Sequence, residues 1–136
     1  MARIMAIDYG TKRVGIAVTD PLQIIAQPLE TVPQSDIFDF LTGYISKEEV
    51  EKILVGLPLH ADGSMSPMAE LAQKFASDVA AKFPHIPVEL VDERYTSRMA
   101  HRAMVEGGFK KKDRQKKENI DKLSAAILLQ EYLGII

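Results

Sequence analysis

Two stretches of the chain, Ile4–Ile7 and Ile53–Leu57, are apolar at every position. A strand with one face in water alternates apolar and polar residues. Unbroken runs of this length therefore predict strands buried on both faces, central in a sheet that helices cover on each side. Asp8 closes the first run and Pro58 the second. Gly10 predicts a tight connection over Tyr9–Arg13 into a second strand, Val14–Thr19, so the chain opens on a hairpin. Ile24–Val32 predicts a third strand. Pro28 has no N–H to give a ladder and places that strand at the edge. Ser35 or Asp36 is expected to cap a helix carrying Ile37, Phe38, Leu41, Tyr44 and Ile45 on its apolar side. Ser66 is expected to cap a second helix with Pro67 at its first position, along which Leu71, Phe75 and Val79 recur every four residues. Pro84 and Pro87 frame a strand at Val88–Val91. Thr96 or Ser97 opens a helix reaching Glu106, stopped by Gly107-Gly108. A last helix runs from about Asn119 to Leu133. Strands joined through helices are parallel crossovers, so the order predicts an α/β fold with an antiparallel opening.

The length of 136 residues suits one domain, 1–136, with a full core. The absence of cysteine excludes a disulfide scaffold, a Cys-ligated zinc site and a thiol nucleophile. The longest aliphatic run, Ala125–Leu129, is far short of the ~18 residues a membrane span needs, and the N-terminus has no signal-peptide pattern. A cytoplasmic protein without membrane contact is expected. Formal net charge is −2, but it is unevenly spread. Arg98, Arg102, Lys110, Lys111, Lys112, Arg114, Lys116 and Lys117 are opposed only by Glu106 and Asp113, so this window is +6 and the remainder −8. Such asymmetry suggests a polyanion-binding arm on an acidic body; a solvated loop kept soluble by its lysines is the plainer reading.

The acids at strand ends carry the chemistry. Asp8 closes the first strand, and Asp92 and Glu93 close the last. Ligand sites in α/β sheets lie beyond the carboxyl ends of the strands. Asp121, in the expected first turn of the final helix, shares a helical face with Ser124, Ala125 and Leu128. The small residues there would let the helix approach the sheet and aim Asp121 at the same place. Three converging carboxylates cannot all stay ionised without a counter-charge. A hard cation, Mg²⁺ or Mn²⁺, supplies one with oxygen ligands alone. Such an ion can orient a water against a phosphodiester and stabilise the leaving oxygen, with nearby Lys and Arg holding the polyanion. Taken singly, each acid has a plainer explanation: a turn, a helix-dipole partner or a surface ion pair. Asp62-Gly63 reads as a turn, and His60, His85 and His101 are scattered surface residues. No Ser-His-acid triad is supported. Asp8-Tyr9-Gly10-Thr11 with Lys12 and Arg13 also looks like a phosphate-binding hairpin, similar to the opening turn of sugar kinases and actin-like ATPases. Those enclose a nucleotide between two large lobes, whereas this chain provides one small lobe and no Walker segment.

Four motifs taken together resemble the YqgF (RuvX) family. They are Ile7-Asp8-Tyr9-Gly10-Thr11-Lys12-Arg13-Val14-Gly15-Ile16-Ala17, then Gly56-Leu57-Pro58-Leu59 with Asp62-Gly63, then Asp92-Glu93-Arg94-Tyr95-Thr96-Ser97, and Asp121 to Gln130. The resemblance implies an RNase H-like fold akin to RuvC-type Holliday junction resolvases, with a five-stranded mixed sheet in the order 3-2-1-4-5 flanked by helices. It implies a bacterial cytoplasmic nuclease that processes the 5′ end of pre-16S ribosomal RNA. Asp8, Glu93 and Asp121 then correspond to the catalytic, metal-binding acids, with Asp92 the alternative to Glu93. Many RNase H-like nucleases place an acid at the end of the fourth strand, where this chain has Gly56-Leu57-Pro58. The second ligand is therefore expected from the fifth strand, and Glu93 is favoured because its longer side chain reaches inward. Lys12, Arg13, Arg94, Arg98 and the basic residues of 110–117 are expected to hold nucleic acid. The reading is a metal-dependent endonuclease on structured RNA, with the pre-ribosomal particle as an expected partner. The alternatives are a junction resolvase on branched DNA and a non-catalytic ribosome-assembly or nucleic-acid-binding factor.

Overall fold

A computed structural model describes residues 2–93 and 117–134, and for 117–122 the backbone alone. Strands β1 (Arg3–Tyr9), β2 (Arg13–Thr19), β3 (Ala26–Pro33), β4 (Val50–Leu57) and β5 (Val88–Asp92) form one sheet in the order β3-β2-β1-β4-β5. The hairpin strands are antiparallel, while β1–β4 and β4–β5 are parallel, as the crossovers require. Helix α1 (Ile37–Lys47) leads from β3 to β4, α2 (Pro67–Lys82) from β4 to β5, and α3 (Lys117–Leu133) closes the described chain.

The two all-apolar runs are indeed covered on both faces. Met5, Ile7, Val14, Ile16, Ile53 and Val55 point to α1 and α2 and meet Ile37, Leu41, Phe75 and Val79. Ile4, Ala6, Ala17 and Leu54 point to α3 and meet Ala125, Leu128 and Leu129. The period-2 alternation of the strands thus assigns each residue to an α1/α2 face or an α3 face. Alanines dominate the second layer and let α3 lie close to the sheet.

Several details differ from the expectations. β3 starts at Ala26, because the Asp20 carboxylate accepts the N–H groups of Ile24 and Ile25, each at 2.8 Å, and holds both in the preceding turn. Pro28 sits on the edge strand as expected, at a register shift where Ala17 faces Pro28 and Ile16 faces Glu30; the missing N–H falls at this bulge. Neither Ser35 nor Asp36 caps α1. A 3-10 turn over Gln34–Asp36 runs into the helix, and Asp36 has helical backbone angles rather than the extended ones of a capping residue. On α2 the buried line is Ala69, Ala72, Ala76 and Val79 with Phe75, while Leu71 is 44% exposed. A four-residue step overshoots the 3.6-residue turn, so a stripe read at that step rotates off the core. Ser66 accepts the Ala69 N–H with Pro67 at the first helical position, as expected. The helix expected from Thr96 or Ser97 to Glu106 lies outside the described residues. Among the described residues, no helix is long and apolar enough to cross a membrane.

Candidate functional site

β1 carries its strand pairing past Asp8, which faces Gly15 across the hairpin. Asp8 follows Ala6 in the alternation and so stands on the α3 face. Its neighbour Tyr9 turns the other way. The Tyr9 ring stacks on Phe75 with centroids 4.3 Å apart, and its hydroxyl accepts a 2.6 Å hydrogen bond from the Gln34 amide. Anchoring Tyr9 in one face fixes Asp8 on the opposite one. Gly10 permits the tight turn that follows: a Cβ there would lie 2.6 Å from the Arg13 carbonyl oxygen.

Parallel pairing sets Ile7 beside Val55, so Asp8 is level with Gly56, one step further along β4. Gly56 in turn pairs with Val91 and Leu57 with Asp92, and the Glu93 N–H donates to the Leu57 carbonyl at 3.2 Å. Val91 packs on the α3 side and Leu90 on the other. Alternation therefore places Glu93 on the face of Asp8. Asp92 is exposed on the opposite face and does not join them. Glu93 is buried, 8% exposed, and its carboxylate does not stay over its own strand. A Cβ built on Gly56 would come within 2.5 Å of the Glu93 carboxyl carbon and 2.8 Å of Oε1. The carboxylate thus lies over the backbone of β4, one strand spacing of ~4.8 Å from β1.

Asp121 is the fifth residue of α3, beyond the expected first turn, because the helix starts at Lys117. The helix dipole weakens past the first turn, so it gives little reason for an acid there. The far end of α3 is tied to the amino end of β4 by a 2.6 Å hydrogen bond from Lys52 Nζ to the Tyr132 hydroxyl. Asp121 lies ~16 Å of helix before Tyr132, and Gly56 lies ~13 Å of strand beyond Lys52. The helix is long enough to carry Asp121 to the level of the strand ends. Ser124, Ala125 and Leu128 of its expected face are fully buried.

Lys12 is exposed in the β1–β2 turn, and Arg13, half-buried, opens β2 on the α3 face. Both stand at the carboxyl end of β1. Lys117 enters only as the first backbone residue of α3. Arg94, Arg98, Lys110, Lys111, Lys112, Arg114 and Lys116 lie outside the described residues. Among the described residues no cluster of three acidic or histidine side chains forms; the pair Asp8 and Glu93 is what they contribute. Asp62 accepts hydrogen bonds from the Ser64 N–H at 2.9 Å and hydroxyl at 2.6 Å, which hold its carboxyl below the usual range. It is a turn residue, with Gly63 at φ +89° supplying the left-handed backbone. His60 and His85 are exposed. Gly56 is the residue that sequence reasoning did not single out for a role. The available signal was a glycine inside an otherwise aliphatic strand, which marks a close approach.

Known proteins match nearly the whole chain. A candidate pre-16S rRNA nuclease of Bacteroides thetaiotaomicron is 51% identical over 133 residues, covering 98% of this chain and 96% of its own. One from Phocaeicola vulgatus is 53% identical over 133 residues with the same coverage. Among solved structures, T. thermophilus RuvC in complex with Holliday junction substrate superposes with a TM-score of 0.59 at 18% identity, covering 98% of this chain and 97% of that one. The fold is thus RNase H-like, as the motifs implied. The RuvX model, described as Holliday junction resolvase, matches residues 2–134, and the chain belongs to that family.

Proposed function

We propose that this chain is a metal-dependent endonuclease acting on structured RNA, and that it processes the 5′ end of pre-16S ribosomal RNA in the cytoplasm. The observation that carries this reading is the convergence of Asp8 and Glu93 from two strands onto one face at one end of the sheet. The names of the half-identical relatives support the substrate class.

The residues present fit a divalent cation. The donor set is oxygen only, which suits Mg²⁺ or Mn²⁺. The open backbone at Gly56 leaves a cradle in which the Glu93 carboxylate already sits. Asp8 and Glu93 would hold the ion, with Asp121 as the third carboxylate. When bound, such an ion lowers the pKa of a water and stabilises the leaving oxygen of a phosphodiester. Burial of Glu93 removes water that would screen its carboxylate and so strengthens its pull on a cation. Tyr9, locked between Phe75 and Gln34, keeps Asp8 in register. Lys12 and Arg13 at the β1–β2 turn hold phosphate oxygens of the incoming strand, and the basic segment 110–117 extends that grip. Residues 1–136 act as one nuclease domain, with the pre-ribosomal particle as partner.

The test sets a pre-rRNA leader against a four-way DNA junction, with Mg²⁺ or Mn²⁺ titrated into each. Cleavage of the leader in preference to the junction supports the proposal. Preference for the junction replaces it with a resolvase, and cutting of neither by a protein that still binds RNA points to an assembly factor.

A further inference from the structure

We infer that Gly56 is a positioning residue for the Glu93 carboxylate; the inference rests on the metal-site reading above. The backbone of Glu93 is fixed one step past β5 by its N–H bond to the Leu57 carbonyl. From there the side chain doubles back over β4, and its carboxyl carbon lies 2.5 Å from where any Cβ at 56 would stand. Real Cβ atoms do not approach other carbons so closely. Every residue other than glycine at 56 therefore displaces this carboxylate from its seat over β4. The obstructing atoms are all at the far end of the buried Glu93 side chain, so the carboxylate gives way rather than the strand. The seat is made by β4, while β5 supplies the acid.

The geometry also makes the two positions interchangeable. An aspartate at 56 carries its carboxyl carbon ~1.5 Å beyond Cβ, within about 1–4 Å of the place Glu93 Cδ now occupies. A carboxylate grown from β4 can therefore replace one delivered from β5, provided that Glu93 is shortened to clear the seat. A glycine required only by its own backbone would not respond to residue 93 in this way.

Four variants of the full chain test this: Gly56→Ala, Glu93→Ala, Gly56→Ala/Glu93→Ala and Gly56→Asp/Glu93→Ala. Each is measured by thermal melting in EDTA, by Mn²⁺ titration calorimetry and by cleavage of the pre-rRNA leader. In EDTA, Gly56→Ala is expected to melt below wild type, and truncating Glu93 in the same chain to recover the loss. Mn²⁺ affinity is expected to fall about 10–100-fold in Gly56→Ala, the size seen when a ligand loses its support, and to return toward wild type in Gly56→Asp/Glu93→Ala. Equal melting of Gly56→Ala with and without Glu93 would overturn the seat, and this comparison needs no metal. If Gly56→Ala does not accumulate as folded protein, recovery of a folded double variant supports the seat and its absence refutes it. If Glu93→Ala binds Mn²⁺ and cuts as wild type does, the metal-site reading fails and the positioning role with it. If Glu93→Ala loses both while Gly56→Ala keeps both, the positioning role alone fails.

Discussion

Replacing Leu128 with alanine tests how α3, which carries Asp121, is held to the sheet. Leu128 is fully buried in the core layer made by Ile4, Ala6, Ala17, Ala26, Leu54, Ala125, Ala126 and Leu129. Leu→Ala in a core costs roughly 2.7–5 kcal/mol, according to how far the site collapses. Alanines have no rotamers with which to fill a void, so the cost should sit in the middle of that range or above, ~4 kcal/mol. At ~2.1 cal/mol/K per residue, 136 residues give an unfolding entropy of about 0.29 kcal/mol/K, and the Tm should fall by about 14 °C. Leu71→Ala is the control. It makes the same chemical change on a helix, but at a 44% exposed site, and should cost less than ~1 kcal/mol. Urea unfolding of both variants, read at constant m-value, gives the two numbers. Equal costs, or a larger cost at Leu71, would refute the assignment of faces on α2 and α3.

Other expectations follow from single contacts. Ser66→Ala removes both the cap on Ala69 and a hydrogen bond to the Pro58 carbonyl. It should cost about 1 kcal/mol in chemical denaturation, and wild-type stability would remove the cap from the account. Asp20 is held below the usual carboxylate range first by the Ile25 N–H and also by that of Ile24. A depressed folded-state pKa stabilises the protein above the unfolded value, and that contribution is lost as pH falls through the folded value. Asp20→Asn should therefore be less stable than wild type at neutral pH and converge with it in acid. A constant gap across that range would contradict the turn described for Ile24 and Ile25.

Much of the sheet was legible because its central strands are apolar throughout and because Pro28 and the Ser66-Pro67 pair mark an edge and a helix start by their own chemistry. The face of α2 was legible only in part. Phe75 and Val79 are buried as expected, but the rest of the line is alanine, which hydrophobic patterning underweights, and Leu71 lies off the core. Ile24 and Ile25 looked like strand because they are apolar, but a side chain five or fewer residues away captured their N–H groups. At the site, Asp8 stood out at the end of its run. Asp92 and Glu93 were adjacent in sequence and differ only in strand parity, which became readable once Leu90 and Val91 were assigned to opposite faces. Gly56 was invisible as a participant because its contribution is an absent side chain, meaningful only beside the carboxylate that fills the space.

The central claim is that Asp8 belongs to a metal-dependent cutting site. Its most direct test is cleavage of the pre-rRNA leader by wild type and Asp8→Asn across a Mg²⁺ and Mn²⁺ titration, with RNA binding followed in parallel. Metal-dependent cleavage is expected to disappear in Asp8→Asn while RNA binding and melting temperature persist. Undiminished cleavage by a folded Asp8→Asn protein would contradict it.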